Sequence, residues 1–110
     1  MNKPLVWLHG EVRTPPFSAK GRSEAGYLLR LLQNGERLGL PESRPMPEIG
    51  HNCHELRVLD EDVSWRILYA LTTDAVVLEV FEKKTRATPK HALDAARRRW
   101  QRYQHDIEDE

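Results

Sequence analysis

The sequence is poor in most features that announce a function. Its single cysteine, Cys53, rules out an internal disulfide, which fits a reducing, cytoplasmic location. No apolar run approaches the ~20 residues that a membrane span requires. The stretch Leu5-Val6-Trp7-Leu8 is too short for the core of a signal peptide. Glycine-rich phosphate loops, paired-carboxylate motifs and Ser/His/Asp arrangements are missing too. So is net charge, since 17 Lys and Arg balance 17 Asp and Glu, which at first argues against a polyanionic partner.

At 110 residues, 39% apolar and 31% charged, the chain suits one domain with a modest core and much of its length near the surface. No internal repeat or second domain is evident over residues 1–110. The charges are unevenly spread. Between Glu82 and Tyr103, eight Lys or Arg stand against two acids, which leaves a local charge of +6. The acids gather elsewhere, at Asp60-Glu61-Asp62 and in the tail from Asp106 to Glu110. Clustering of this kind decides whether a polyanion is attracted, although a solvated helix face is the plain alternative.

The pattern predicts an α+β fold. Leu5 to Leu8 reads as a short strand near a sheet edge, and Gly10 to Pro16 as a connection. Phe17 and Ser18 read as the staple residue and cap of a helix whose Ala25, Leu28, Leu29 and Leu32 share a face. Asn34-Gly35 ends it. Glu36 to Gly50, with Pro41, Pro45 and Pro47, reads as a helical turn near Glu36–Leu40 followed by loop. Three β-rich runs follow, at His54–Leu59, Trp65–Leu71 and Ala75–Phe81. Short polar turns between them imply an antiparallel meander. Thr88-Pro89 then opens a helix to about Tyr103, Thr as cap and Pro in the first turn. From Gln104 to Glu110 an acidic, frayed tail is expected.

Arg57 and Arg66 sit mid-strand, where β preference favours uncharged residues. If they share a face with Lys83 and Lys84, four cations meet on one surface and need an anion to offset their repulsion. That anion is either a phosphate or an internal carboxylate, Glu55 or Glu79. His51, Cys53 and His54 lack a second ligand cluster that would complete a zinc site, so no metal or cofactor is expected. His54 is either a hydrogen-bonded strand residue or an acid–base group beside a phosphate. Tyr69 is core, or a ring offered to a base if its face is open. Arg86, Lys90 and Arg97 extend the basic surface that a polyanion would meet.

Several blocks resemble the RelE/HigB toxin superfamily, in its phage-derived branch. They are Glu55-Leu56-Arg57, Arg66-Ile67-Leu68-Tyr69, Phe81-Glu82-Lys83-Lys84-Thr85 with Thr88-Pro89, and Ala95-Ala96-Arg97-Arg98-Arg99. Val6-Trp7-Leu8, Ala25-Gly26-Tyr27-Leu28-Leu29 and Arg44-Pro45-Met46-Pro47-Glu48-Ile49-Gly50 extend the similarity over nearly the whole chain. The resemblance implies a small antiparallel sheet packed against N-terminal and C-terminal helices. It further implies the toxin of a type II toxin–antitoxin system, a ribosome-dependent endoribonuclease cutting mRNA by 2′-hydroxyl attack. Its partners would be a helix-turn-helix antitoxin, the ribosome and mRNA. By the same resemblance Arg57 matches the arginine after the Glu-Leu pair, Arg66 the strand arginine, and Lys83-Lys84 the basic pair after the last strand. The alternatives are a toxin-fold inhibitor of a host target such as DNA gyrase, as in the ParE branch, and a phage-derived regulatory binding protein.

Overall fold

The structure, a computed structural model, describes residues 2–8 and 17–108. The expected connection from Gly10 to Pro16 lies outside the described residues. Strand β1 (Leu5–Trp7) precedes helix α1 (Ala19–Gln33) and strand β2 (Ser43–Pro45). Strands β3 (Cys53–Asp60), β4 (Val63–Leu71) and β5 (Ala75–Glu82) then lead into helix α2 (Lys90–Glu108). The sheet has five strands in the order β1-β5-β4-β3-β2. The expected α+β architecture is therefore present, and β3, β4 and β5 form the antiparallel meander. One detail differs: β1 pairs in parallel with β5, so the sheet is mixed.

Helix α1 starts where the sequence places it. The Ser18 hydroxyl accepts a hydrogen bond from the Gly21 N–H at 3.3 Å, which satisfies one of the free donors of the first turn. Asp60, at the end of β3, clamps that start. Its carboxylate accepts from the Ser18 hydroxyl, from the Ser18 N–H at 2.8 Å and from the Trp65 indole at 3.2 Å. The approach explains a glycine inside a helix, because a Cβ on Gly21 would lie 2.4 Å from the Asp60 carboxyl carbon. Phe17, the expected staple residue, joins the buried cluster of α1. It packs edge-on against Trp65, with ring centroids 5.1 Å apart. The helix ends on Gly35 at φ +89°, where Gly35 N–H bonds Leu32 O and Glu36 N–H bonds Leu31 O. This double closure is the Schellman arrangement, and it requires the left-handed residue that glycine supplies.

The segment after α1 departs from expectation. No helical turn forms at Glu36–Leu40, because Glu36 is already engaged in the helix cap and Gly39 and Pro41 interrupt any further winding. Ser43–Pro45, read as loop, instead pairs antiparallel with β3. Pro45 is tolerated because β2 is an edge strand, where a missing N–H need not break a ladder.

The two helices cover opposite faces. Ala25, Leu28, Leu29 and Leu32 of α1 pack on Leu56, Val58, Trp65, Ile67, Tyr69, Val77 and Val80. Ala92, Ala96 and Trp100 of α2 pack on Leu68, Ala70, Val76, Leu78 and Phe81, with Met46 and Ile49 closing the side. A bulge makes both sets possible from one strand. Leu68 pairs with Glu79 and Tyr69 with Val77, so Leu78 has no register partner, and strict alternation is lost there. Gly50 lies against Trp100 so closely that a Cβ would sit 2.9 Å from the indole. Helix α2 does not stop near Tyr103 but runs to Glu108, with its last turns exposed. Among the described residues no helix is long and apolar enough to cross a membrane.

A candidate anion site on the sheet

Helix α2 begins only after Pro89, and its buried residues lie over the Leu68–Ala70 end of β4. The rest of that face carries charge. Arg57 and Arg66 are directly opposed across β3 and β4, and Glu55 faces the same side two residues before Arg57. From β2 comes Arg44, register partner of Glu55. Lys83 follows β5, its N–H held by Ser64 O at 2.7 Å. Arg57, Arg66 and Lys83 therefore converge from separate strands, with Arg44 in the place expected of Lys84.

Glu55 is fully buried. Its Oε1 meets Arg44 Nε at 3.1 Å and Arg66 Nε at 3.5 Å, and its Oε2 accepts from the Thr88 hydroxyl at 3.2 Å. Thr88 thus ties the loop before α2 to the sheet instead of capping the helix. The first turn of α2 closes on the Pro89 carbonyl, which accepts from Ala92 and Leu93 at 3.1 Å each. Arg66 Nη1 also donates to Ser64 Oγ and, at 3.2 Å, to Trp65 O. Among the described residues, Arg57 Nε and Arg66 Nε are both buried without a hydrogen-bond partner, the 3.5 Å approach of Arg66 to Glu55 being an ion pair.

One carboxylate therefore stands among Arg44, Arg57, Arg66 and Lys83, leaving an excess of three positive charges. Lys83 feels all of them. Burial pushes its ammonium below the ordinary lysine value, the guanidiniums of Arg66, Arg44 and Arg57 push it the same way, and Glu55 pulls against them. The same balance lowers Arg66, with burial first and repulsion from Arg57 and Arg44 added, against the attraction of Glu55. Like charges opposed across a sheet destabilise it, so an anion brought to this patch relieves repulsion already present. Arg44 is 34% exposed and Arg66 13%, so the patch is open to solvent at its β2 edge.

The remaining expected site residues divide. Lys84, Arg86 and Lys90 are exposed around the loop before α2 and at its start. Lys84 pairs with Glu82 at 3.6 Å and Lys90 with Asp94 at 2.8 Å. Arg97 is half-buried and engaged, donating to Glu48 O at 2.6 Å and to Asp94 at 3.3 Å. Glu79 is the partner of Arg99, at 3.4 Å, not of the strand arginines.

His54 and Tyr69 lie on the other face. Tyr69 belongs to the core under α1, its hydroxyl 2.6 Å from Ser43 Oγ, and His54 stacks on its ring at 5.2 Å. The strand alternation that brings Glu55 and Arg57 together necessarily sends His54 away from them. Neither His54 as a base nor Tyr69 as a platform is available at the cationic patch. Arg44 is the residue that sequence reasoning left out of the site. The segment Ser43-Arg44-Pro45-Met46 carries no strand alternation, and Pro41, Pro45 and Pro47 around it read as loop.

The family profile described as Phage derived protein Gp49-like (DUF891) matches residues 16–101. No curated protein is similar enough in sequence to match the chain. The matched region contains α1, all the strands that build the cationic patch, and most of α2. With that fold and that coverage, the chain belongs to the phage-derived Gp49-like family, within the superfamily of toxins associated with toxin–antitoxin systems.

Proposed function

We propose that this protein is the toxin of a type II toxin–antitoxin pair, a RelE/HigB-like endoribonuclease acting on mRNA at the ribosome. The observation that carries this reading is the convergence of Arg44, Arg57, Arg66 and Lys83 around a single buried carboxylate. In the proposed reaction the RNA 2′-oxygen forms a bond to the adjacent phosphorus while the bond from phosphorus to the 5′-oxygen breaks. The products are a 2′,3′-cyclic phosphate and a 5′-hydroxyl. Arg57 and Arg66 stabilise the extra negative charge on the phosphoryl oxygens, which preorganised guanidiniums do well in a partly dry site. The proton leaves the 2′-hydroxyl for a base and another reaches the departing 5′-oxygen. Lys83, with its lowered affinity for a proton, suits that exchange better than His54, which lies across the sheet. Lys84, Arg86 and Lys90 supply the surrounding field that draws in the RNA backbone. A helix-turn-helix antitoxin encoded beside the toxin is the expected partner, and the site of action is the cytoplasm.

Induction of the protein in cells, followed by mapping of mRNA 5′ ends, tests this reading. Codon-linked cuts that vanish in Arg66→Ala and Lys83→Ala, with both variants still folded, are the expected result. DNA damage without RNA cuts would point to a gyrase-type target and overturn it, as would full toxicity of both variants.

A further inference from the structure

Resting on that reading of the cationic patch, we propose that Glu55 is a positioning residue for the RNA site, and that Arg44 is a further phosphate-contacting side chain. A buried carboxylate is an expensive device if stability is its only purpose. An apolar side chain of similar size usually serves the core as well or better. What Glu55 does here is geometric. It joins Arg44 of β2, Arg66 of β4 and Thr88 of the loop before α2, three segments far apart in the chain.

The atoms used matter. Both guanidiniums turn Nε, the inner nitrogen, toward Glu55, Arg44 in a hydrogen bond at 3.1 Å and Arg66 in an ion pair at 3.5 Å. A guanidinium held there keeps its terminal nitrogens for a second acceptor, because the group carries five N–H donors in a rigid plane. For Arg66 one terminal nitrogen is also fixed, by Ser64 Oγ and Trp65 O, which sets the orientation of the plane. Arg44 is the most exposed of the pair, so its outer edge faces the solvent from which an RNA backbone arrives. The bond to Thr88 sets the loop carrying Lys83, Lys84 and Arg86 against the same carboxylate. Glu55 thus fixes where positive charge stands, at the expense of one unit of it. Removing that charge while keeping the shape should separate attraction from alignment.

The experiment compares the wild type with Glu55→Gln, Thr88→Val and Arg44→Gln. It measures binding of a short fluorescein-labelled single-stranded RNA across a salt series, and kcat and KM for cleavage of ribosome-bound mRNA. Arginine Nε–H signals are followed by NMR during titration with inorganic phosphate. Glu55→Gln is expected to bind the RNA at least as tightly as the wild type, while kcat falls by about 10- to 100-fold, as misplacement by a fraction of an ångström does. Its Arg44 and Arg66 signals should merge toward the exposed-arginine position. Thr88→Val, a half-buried loop change that keeps the fold, should lower kcat in the same direction by less. Arg44→Gln should reduce the slope of log K against log salt by about 0.7.

Wild-type kcat in both Glu55→Gln and Thr88→Val would overturn the positioning role. So would a loss of RNA binding that merely tracks a lower Tm. An unchanged salt slope in Arg44→Gln would overturn the Arg44 contact. If the wild type itself cuts no RNA, the nuclease reading fails, and the phosphate titration decides for Glu55. Arg44 and Arg66 signals that respond to phosphate in the wild type but not in Glu55→Gln uphold positioning, and equal responses overturn it.

Discussion

Helix α1 packs on an apolar face from Val58 and Trp65 to Tyr69 and Val77, with a cavity beside Leu32, His54 and Leu71 at its end, whereas the face under α2 carries charge beyond the helix. Both faces hold buried acids, and Asp60 and Glu55 do different things. Asp60, under the start of α1, accepts from neutral donors among the described residues, including the Ser18 hydroxyl, the Ser18 N–H and the Trp65 indole. Glu55, on the α2 side, is surrounded by guanidiniums. The first arrangement completes a helix cap and stabilises one carboxylate through neutral hydrogen bonds. The second leaves positive charge in excess, which is costly in a folded protein unless something else uses it. The lesson is that burial of an acid marks a structural clamp or an organised site depending on whether its donors are neutral or charged, and on which sign remains.

Four substitutions break or sharpen that contrast. The largest effect is expected on the apolar face. Ile67→Ala, at a fully buried position, should cost about 2–5 kcal/mol, read as a lower urea midpoint with unchanged m. If the α1 face tolerated it, the division into an apolar face and a charged one would be wrong. On the charged face, Arg57→Gln should reduce RNA cleavage by about 100-fold, as loss of a preorganised donor does. Stability should hold or rise by roughly 0.2–1 kcal/mol as the repulsion with Arg66 is relieved. A calorimetric Tm that drops instead would make Arg57 a structural residue.

Asp60 should show its role in acid. Its carboxyl is held below the ordinary value of 3.8, first by the Ser18 hydroxyl and then by the Ser18 N–H, with burial opposing. A depressed folded-state pKa contributes stability that is fully present above 3.8 and is lost as pH falls from there through the folded value. Asp60→Asn should therefore flatten the fall in stability over that acid range, measured by urea melts at stepped pH. A parallel fall in wild type and variant would remove Asp60 as the cause. The smallest effect belongs to His54→Ala. Burial lowers its affinity for a proton, but it lies on the α1 side of β3, so cleavage and its pH profile should stay at wild-type values. A changed profile would mean that the two faces communicate chemically.

Much of this was legible in the chain. Apolar spacing located α1, the polar turns located the meander, and Gly35 and Ser18 marked the helix ends through local backbone chemistry. Two charged residues mid-strand announced that one face was unusual. Other features were hidden because they depend on partners distant in sequence. Ser43–Pro45 carries little β signal of its own and becomes a strand only because β3 offers an open edge. Thr88 looks like a helix cap, yet its hydroxyl finds the Glu55 carboxylate instead. His54 and Tyr69 have the right chemistry for an RNA site, but strand alternation places them under α1.

Residue order alone located α1, the start of α2 and the three strands of the meander, since helical and strand periodicity are local properties of the backbone. Only the folded molecule decided which cations meet, because that depends on strand register, on the bulge in β5 and on how much of the sheet α2 covers. Arg44 joins Arg57, Arg66 and Lys83 through pairing across the sheet, and no spacing along the chain encodes that meeting.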